Sequence, residues 1–202
     1  SAGVRAGSSL PDASPTHADV SASLPRMNRD FRIYGHRGAP KEHPENTLGG
    51  FAAALNAGCN ALELDVHLSR DGYVVVAHDD SGARMAKTEA TIQRTSWNEV
   101  SRWNVAEGFA GAGTNEGTET TAHPPLLEDV LDAFPNTPIS VDLKDETPAL
   151  SLAVLRVLSR AAPAARDNVS LTSFHQRAFR RLHEEGYRGP LGMGPVDVVR
   201  LW

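Results

Sequence analysis

The sequence predicts an α/β protein built on a parallel barrel or sheet. Three observations lead there. Strand-like and helix-like runs alternate from Phe31 onward, the order that places helices against a parallel sheet. Two of the strands, Ala61 to His67 and Ile139 to Lys144, carry apolar side chains on one face and ionisable or polar ones on the other, as strands lining a barrel site do. The chain has 202 residues, 40% apolar and 22% charged, enough for one domain with a real core.

Residues 1–29 are rich in Ser, Ala, Pro and Gly with no hydrophobic period, which predicts a disordered tail or linker. The domain is expected over 30–202, starting with a buried strand at Phe31–Gly35. A helix follows over Thr47–Ala57, with Asn46 or Thr47 as N-cap, Gly58 as its stop, and Leu48, Phe51, Ala52 and Leu55 on one face. In the strand Ala61–His67, Leu62, Leu64 and Val66 point one way and Glu63, Asp65 and His67 the other. Ser69–Gly72 is a tight turn into a second extended run, Tyr73–Ala77. A parallel crossover needs a dozen or more residues, so this pair reads as a hairpin. Folded about Arg70–Asp71, it sets His78 opposite Glu63.

A short helical stretch is expected at Ser96–Trp103 within an insertion spanning about 80–124. Its Gly/Thr-rich part, Asn104 to Pro124, has the length of a functional cover or a disordered loop. Regular structure resumes with a helix at Leu126–Phe134 and the strand Ile139–Lys144, where Ile139, Val141 and Leu143 oppose Ser140, Asp142 and Lys144. Helix Pro148–Ser159, strand Val169–Ser173, helix Gln176–Glu185 and a short run near Leu191 complete the reading.

The net charge of −5 offers no basic stripe for a nucleic acid backbone, which argues against that partner class. Cys59 is the only cysteine; no intrachain disulfide is expected, and thiols do not report the compartment. There is no apolar run of membrane-spanning length and no intact signal peptide, so any membrane association is expected through segments outside this chain.

The chemistry concentrates in His36-Arg37-Gly38, Pro44-Glu45-Asn46-Thr47, Glu63-Leu64-Asp65 and His78-Asp79. Cleaving a phosphodiester requires neutralising its non-bridging oxygens, deprotonating the nucleophile and protonating the leaving oxygen. Glu63 and Asp65, at i and i+2 on one strand face, suit one hard divalent cation, and Asp142 offers a third oxygen ligand. His36 and His78 suit general acid and base, because imidazole titrates near neutrality. Arg37 can fork onto a phosphate oxygen and Lys144 can add a point charge. Oxygen ligands alone leave Ca²⁺, Mg²⁺ and Mn²⁺ open.

The segments HRGAPKEHPENT, LELDVHLSRDG, VVVAHDD and PPLLEDVL with ISVDLK resemble the glycerophosphodiester phosphodiesterase family. The resemblance implies a variant TIM (β/α)₈ barrel and a divalent cation, Ca²⁺ or Mg²⁺. It implies His36 and His78 as the catalytic pair, Arg37 and Lys144 at the substrate phosphate, and Glu63 and Asp65 as metal ligands. Asp142 stands where the family usually has glutamate. It also implies attack by the substrate's own glycerol hydroxyl, giving a cyclic phosphate that water opens to glycerol 3-phosphate. Such barrels take ~250 residues and roughly 170 follow the tail here. The expectation is therefore a C-terminally incomplete barrel of about five strands.

The expected substrate is a small glycerophosphodiester. The alternatives are lysophospholipase D-like action on a lysophospholipid at the same site, or a non-catalytic partial barrel. His67 is expected to be structural. Trp97, Trp103 and Phe109 are expected to be core or loop anchors, the alternative being a lipid-chain patch.

Overall fold

A computed structural model of the chain describes residues 31–110, 120–145 and 147–192. The predicted tail 1–29 and the middle of the predicted loop, 111–119, lie outside the described residues. The unit from Arg32 onward carries every helix and strand among the described residues.

Its centre is a five-stranded sheet. Strand β1 (Tyr34–His36) is followed by helix α1 (Leu48–Asn56), strand β2 (Ala61–Leu68) and strand β3 (Val74–Val76). After the insertion, which carries α2 (Trp97–Val100), come α3 (Leu127–Ala133), β4 (Ile139–Leu143), α4 (Pro148–Arg160), α5 (Pro163–Asp167), β5 (Val169–Thr172) and α6 (Gln176–Glu184). The parallel order is β1-β2-β4-β5, and β3 pairs antiparallel with β2. Val66 pairs with Leu143 and with Val76, so β3 extends the edge of β2 opposite β4. Among the described residues four parallel strands flanked by helices make a partial α/β barrel, against the eight of a closed one.

The core lies between this sheet and its helices. Leu62, Leu64 and Val66 of β2, Val141 and Leu143 of β4, and Leu171 of β5 are fully buried there with Phe51, Leu127, Leu150, Val154 and Leu182. Each such aliphatic side chain contributes about 1.5–3 kcal/mol by leaving water. Phe51 meets Phe134 edge to face at 6.3 Å. Strand β3 divides its side chains: Val74 and Val76 join the main core, while Val75 joins a second cluster with Ile92, Val100 and Leu126. Trp97 and Trp103 pack against that second cluster, which anchors the insertion to the sheet. Among the described residues no helix is long and apolar enough to cross a membrane.

Three expectations need correction, and three short elements were not predicted. The first strand is Tyr34–His36, and only its Gly35 is buried, while Phe31, Ile33 and Tyr34 are exposed. The buried face of α1 is Gly50, Phe51 and Ala54, with Leu48 exposed; the helix enters over its small residues, which let its backbone approach β1. Helix α5 and the 3₁₀ turns Ile92–Arg94 and Val105–Gly108 have too few residues to declare a period. The hairpin register is also shifted. Leu68 pairs with Val74 and Val66 with Val76, so the pivot is Asp71 itself, not the Arg70–Asp71 bond. The cause is a five-residue loop in which the Ser69 N–H bonds the Tyr73 carbonyl and the Ser69 hydroxyl bonds Asp71. His78 consequently does not sit across from Glu63.

Candidate active site

Residues in register on parallel strands share a face, so pairing alone assembles most of the site. His36 is beside Glu63, and Glu63 beside Ser140. Two residues further along the strands, Asp65 is beside Asp142, and Asp142 beside Thr172. Asp65 and Asp142 are both buried, and strands lie about 4.8 Å apart, so two bare carboxylates here would repel. Lys144 answers that charge. Its Nζ stands 2.8 Å from Asp65 Oδ1 and 2.9 Å from Asp142 Oδ2. Burial opposes the ammonium charge, but the hydrogen bonds and charges of the two aspartates outweigh it and raise the lysine pKa. The backbone of Lys144 is itself held, donating to Val66 O and accepting from His175 Nε2–H.

Glu63 experiences the opposite balance. Burial, then the charges of Asp65 and Asp142, push its carboxyl up to about 7; the Arg37 N–H and Lys144 offset this only in part. Its Oε2 accepts from the Arg37 N–H at 3.3 Å and lies 3.7 Å from His36 Nε2. The His36 ring is two-thirds exposed.

The turn after β1 aims Arg37 across the site. Arg37 adopts φ 57°, a left-handed conformation rare for a branched or long side chain. It is held there by its N–H to Glu63 O at 3.0 Å and by its carbonyl accepting from Asn46 N–H at 2.9 Å. Gly38 follows at φ 87°, and a Cβ there would collide with the Gly50 carbonyl group. The Arg37 guanidinium lies 3.4 Å from both Asp65 Oδ2 and Glu45 Oε1. Asn46, also left-handed at φ 57°, pairs reciprocally with Asp65, donating from Nδ2 to Oδ2 and accepting the Asp65 N–H. Thr47 caps α1 through the Gly50 N–H and donates to Pro44 O. The run Pro44–Thr47 thus places Asn46 against the central aspartate.

His78 joins this set from the other edge. Its Nδ1–H donates to Asp79 Oδ1 at 2.7 Å, leaving Nε2 to exchange a proton. Its carbonyl accepts the Nε2–H of His67 at 3.0 Å, which fixes the His67 tautomer. Burial tends to raise the Asp79 pKa, but hydrogen bonds from Arg84 and His78 outweigh it and hold the carboxyl below its usual range. Arg84 links Asp79 to Glu45, and Glu45 reaches Arg37. A crevice of about 30 Å³ beside His78 is lined by Glu45, Asn46, Asp79, Arg84 and Trp103.

Of the residues singled out from sequence, His36, Arg37, Glu63, Asp65, Asp142 and Lys144 form one contiguous set, and His78 connects to it through Asp79, Arg84 and Glu45. Lys144 is committed to two aspartates. Sequence reading placed Asn46 and Asp79 in the chemistry-bearing runs without giving either a role in the site; the structure sets Asn46 against Asp65 and Asp79 against His78. Arg84, 39 positions from Glu45, gives no local signal. Among the described residues no three His, Cys, Asp or Glu side chains are grouped closely enough to hold a metal ion. The donor chemistry nevertheless fits a hard cation. Three carboxylates crowd enough to raise the pKa of Glu63, and Asp142 Oδ1 is buried with no hydrogen-bond partner.

Comparison with known proteins bears on the family and the fold. The model of the glycerophosphoryl diester phosphodiesterase family matches residues 36–197. Human lysophospholipase D GDPD1 is 35% identical over 127 residues, 62% of this chain and 40% of that protein. A Bacillus altitudinis glycerophosphodiester phosphodiesterase is 28% identical over 174 residues, 83% of this chain and 68% of the relative. Among solved structures, a glycerophosphoryl diester phosphodiesterase domain from Mycobacterium tuberculosis superposes with a TM-score of 0.72 at 23% identity, covering 84% of this chain and 62% of that one. An Oleispira antarctica phosphodiesterase, in complex with the product sn-glycerol-3-phosphate, gives 0.68 at 22%, covering 85% and 70%. At these identities the structures speak for the fold. The chain spans about two fifths of the length of the human relative.

Proposed function

The chain belongs to the glycerophosphoryl diester phosphodiesterase family, and from that premise we propose that it hydrolyses glycerophosphodiesters to glycerol 3-phosphate and an alcohol. The observation that carries the proposal is the single sheet face shared by His36, Glu63, Asp65 and Asp142, with Arg37 and Lys144 turned onto it. Anion recognition, proton transfer and hard-cation donors meet there.

In this reading Glu63, Asp65 and Asp142 would hold a divalent cation, which when bound would neutralise phosphate charge and act as a Lewis acid on a phosphoryl oxygen. Arg37 binds the phosphate by its fork. Lys144 keeps Asp65 and Asp142 compatible and adds positive charge for the anion. The glycerol hydroxyl attacks phosphorus and gives its proton to one histidine, while the other protonates the departing alcohol. The roles then reverse as water opens the cyclic phosphate. His78 is suited to both, since Asp79 holds Nδ1–H and leaves Nε2 for the exchange. Asn46 and His67 orient Asp65 and the His78 backbone.

The test is release of choline from glycerophosphocholine, with and without chelator. Turnover lost on chelation and restored by Ca²⁺ or Mg²⁺ supports the reading; no turnover with either cation overturns it. Lysophospholipid cleavage at the same site is the second reading, favoured by the human relative's name. Faster turnover of lysophosphatidylcholine than of glycerophosphocholine would establish it instead.

A further inference from the structure

Arg84 belongs to none of the sequence motifs, yet its guanidinium makes three short contacts to carboxylates, besides one to Met85 Sδ. Its Nε donates to Asp79 Oδ2 at 2.6 Å, Nη2 to Glu45 Oε1 at 2.6 Å and Nη1 to Glu45 Oε2 at 3.0 Å. Both carboxylates also reach a second group. Asp79 Oδ1 holds His78 Nδ1–H, and Glu45 Oε1 lies 3.4 Å from Arg37 Nη1. We propose that Arg84 is a positioning residue, brought in by the insertion after β3, that fixes the His78–Asp79 pair against the Glu45–Arg37 pair. The proposal rests on His78 acting as acid or base.

Two arguments set this apart from a surface ion pair. The Arg84 side chain is half exposed, where such pairs contribute little to stability; three aligned contacts therefore matter for geometry more than for folding. A lysine ammonium cannot replace them, because only a planar fork spans two carboxylates at fixed angles. The segment carrying Arg84 is also seated firmly. Gly108 N–H bonds Met85 O at 2.8 Å, and Lys87 Nζ bonds Arg84 O at 3.1 Å. A Cβ on Gly108 would overlap the Arg84 carbonyl and Met85 Cα. The strap closes against its own 3₁₀ turn with no spare room.

The test compares the chain with Arg84→Gln, Arg84→Lys, Asp79→Asn and the Arg84→Gln/Asp79→Asn double variant on glycerophosphocholine. Arg84→Gln is expected to lower kcat about ten- to a hundredfold through misplacement alone. KM should move little, and Arg84→Lys should recover only part of the loss. In the Asp79→Asn background the same change should cost less than about twofold, the ordinary error of additivity. Gly108→Ala, which displaces the segment without touching a carboxylate, should reproduce the kcat loss. Ring-nitrogen NMR of His78 should report the Nδ1–H tautomer in the parent and a tautomer mixture in Arg84→Gln. Parental kcat in Arg84→Gln, or losses that multiply fully with Asp79→Asn, overturn the proposal while leaving the proposed function standing. If the parent chain turns over no substrate, the proposed function fails instead; if His78→Ala retains parental kcat, the premise that His78 transfers a proton fails. The NMR result then decides Arg84 alone, and an unchanged tautomer in Arg84→Gln overturns its role.

Discussion

Strand β2 and the insertion after β3 each bring groups to the same site, by different physics. On β2 the pleat does the placing: Leu62, Leu64 and Val66 enter the core with no exposed surface, and Glu63, Asp65 and His67 must face the other way. Those groups inherit the stability of the whole sheet. The insertion has no such pleat beyond Val76. It places Arg84 by ion pairs to Asp79 and Glu45, over a small cluster of Val75, Ile92, Val100 and Leu126. One half of the site is held by burial and the other by charge, so local opening should affect them unequally.

The sharpest test of that contrast is whether both halves supply a proton-transfer group. His36→Ala and His78→Ala should each lower kcat about 10²- to 10⁴-fold, with thermal midpoints close to the parent. Loss in only one variant would confine proton transfer to one half. Next in size, Lys144→Met leaves Asp65 and Asp142 facing each other and should cost about 3–5 kcal/mol in urea unfolding. Millimolar Ca²⁺ or Mg²⁺ should restore much of this if the two carboxylates receive a cation, and no recovery would argue against that pair as ligands.

Ile92→Ala should raise amide hydrogen exchange across residues 80–108, by about 2–4 kcal/mol of local opening, while β2 stays protected. Equal loosening of both would erase the comparison. The smallest effect concerns Glu63. Its folded-state pKa of about 7 lies above the ordinary 4.5, so between these values the folded chain keeps a proton that the unfolded chain releases. Stability of the metal-free protein should fall as pH rises through that window and level off above it. Glu63→Gln should flatten the slope, and an unchanged slope would place its cause elsewhere.

Legibility in the sequence follows the same division. The alternation in Ala61–His67 and Ile139–Lys144 is a period-2 signal, so the inward carboxylates and the apolar outer face could be read before any pairing was known. Register could not: His78 sits one position away from its expected partner because the Ser69 and Asp71 side chains build a five-residue loop. The α1 face was misread because Gly50 and Ala54 are buried for close approach, which hydrophobicity does not report.

By itself, the sequence determined the alternating α/β order, the inward placement of Glu63, Asp65 and Asp142, and the residue types that phosphodiester chemistry requires. These depend on local periods and on side-chain chemistry, both written in neighbouring residues. Only the tertiary structure decided that Lys144 stands between two aspartates, that Asn46 pairs with Asp65, and that Arg84 joins Asp79 to Glu45. Those contacts bring together residues distant in the chain, and packing of strands, loop and insertion sets such distances where no local pattern can encode them.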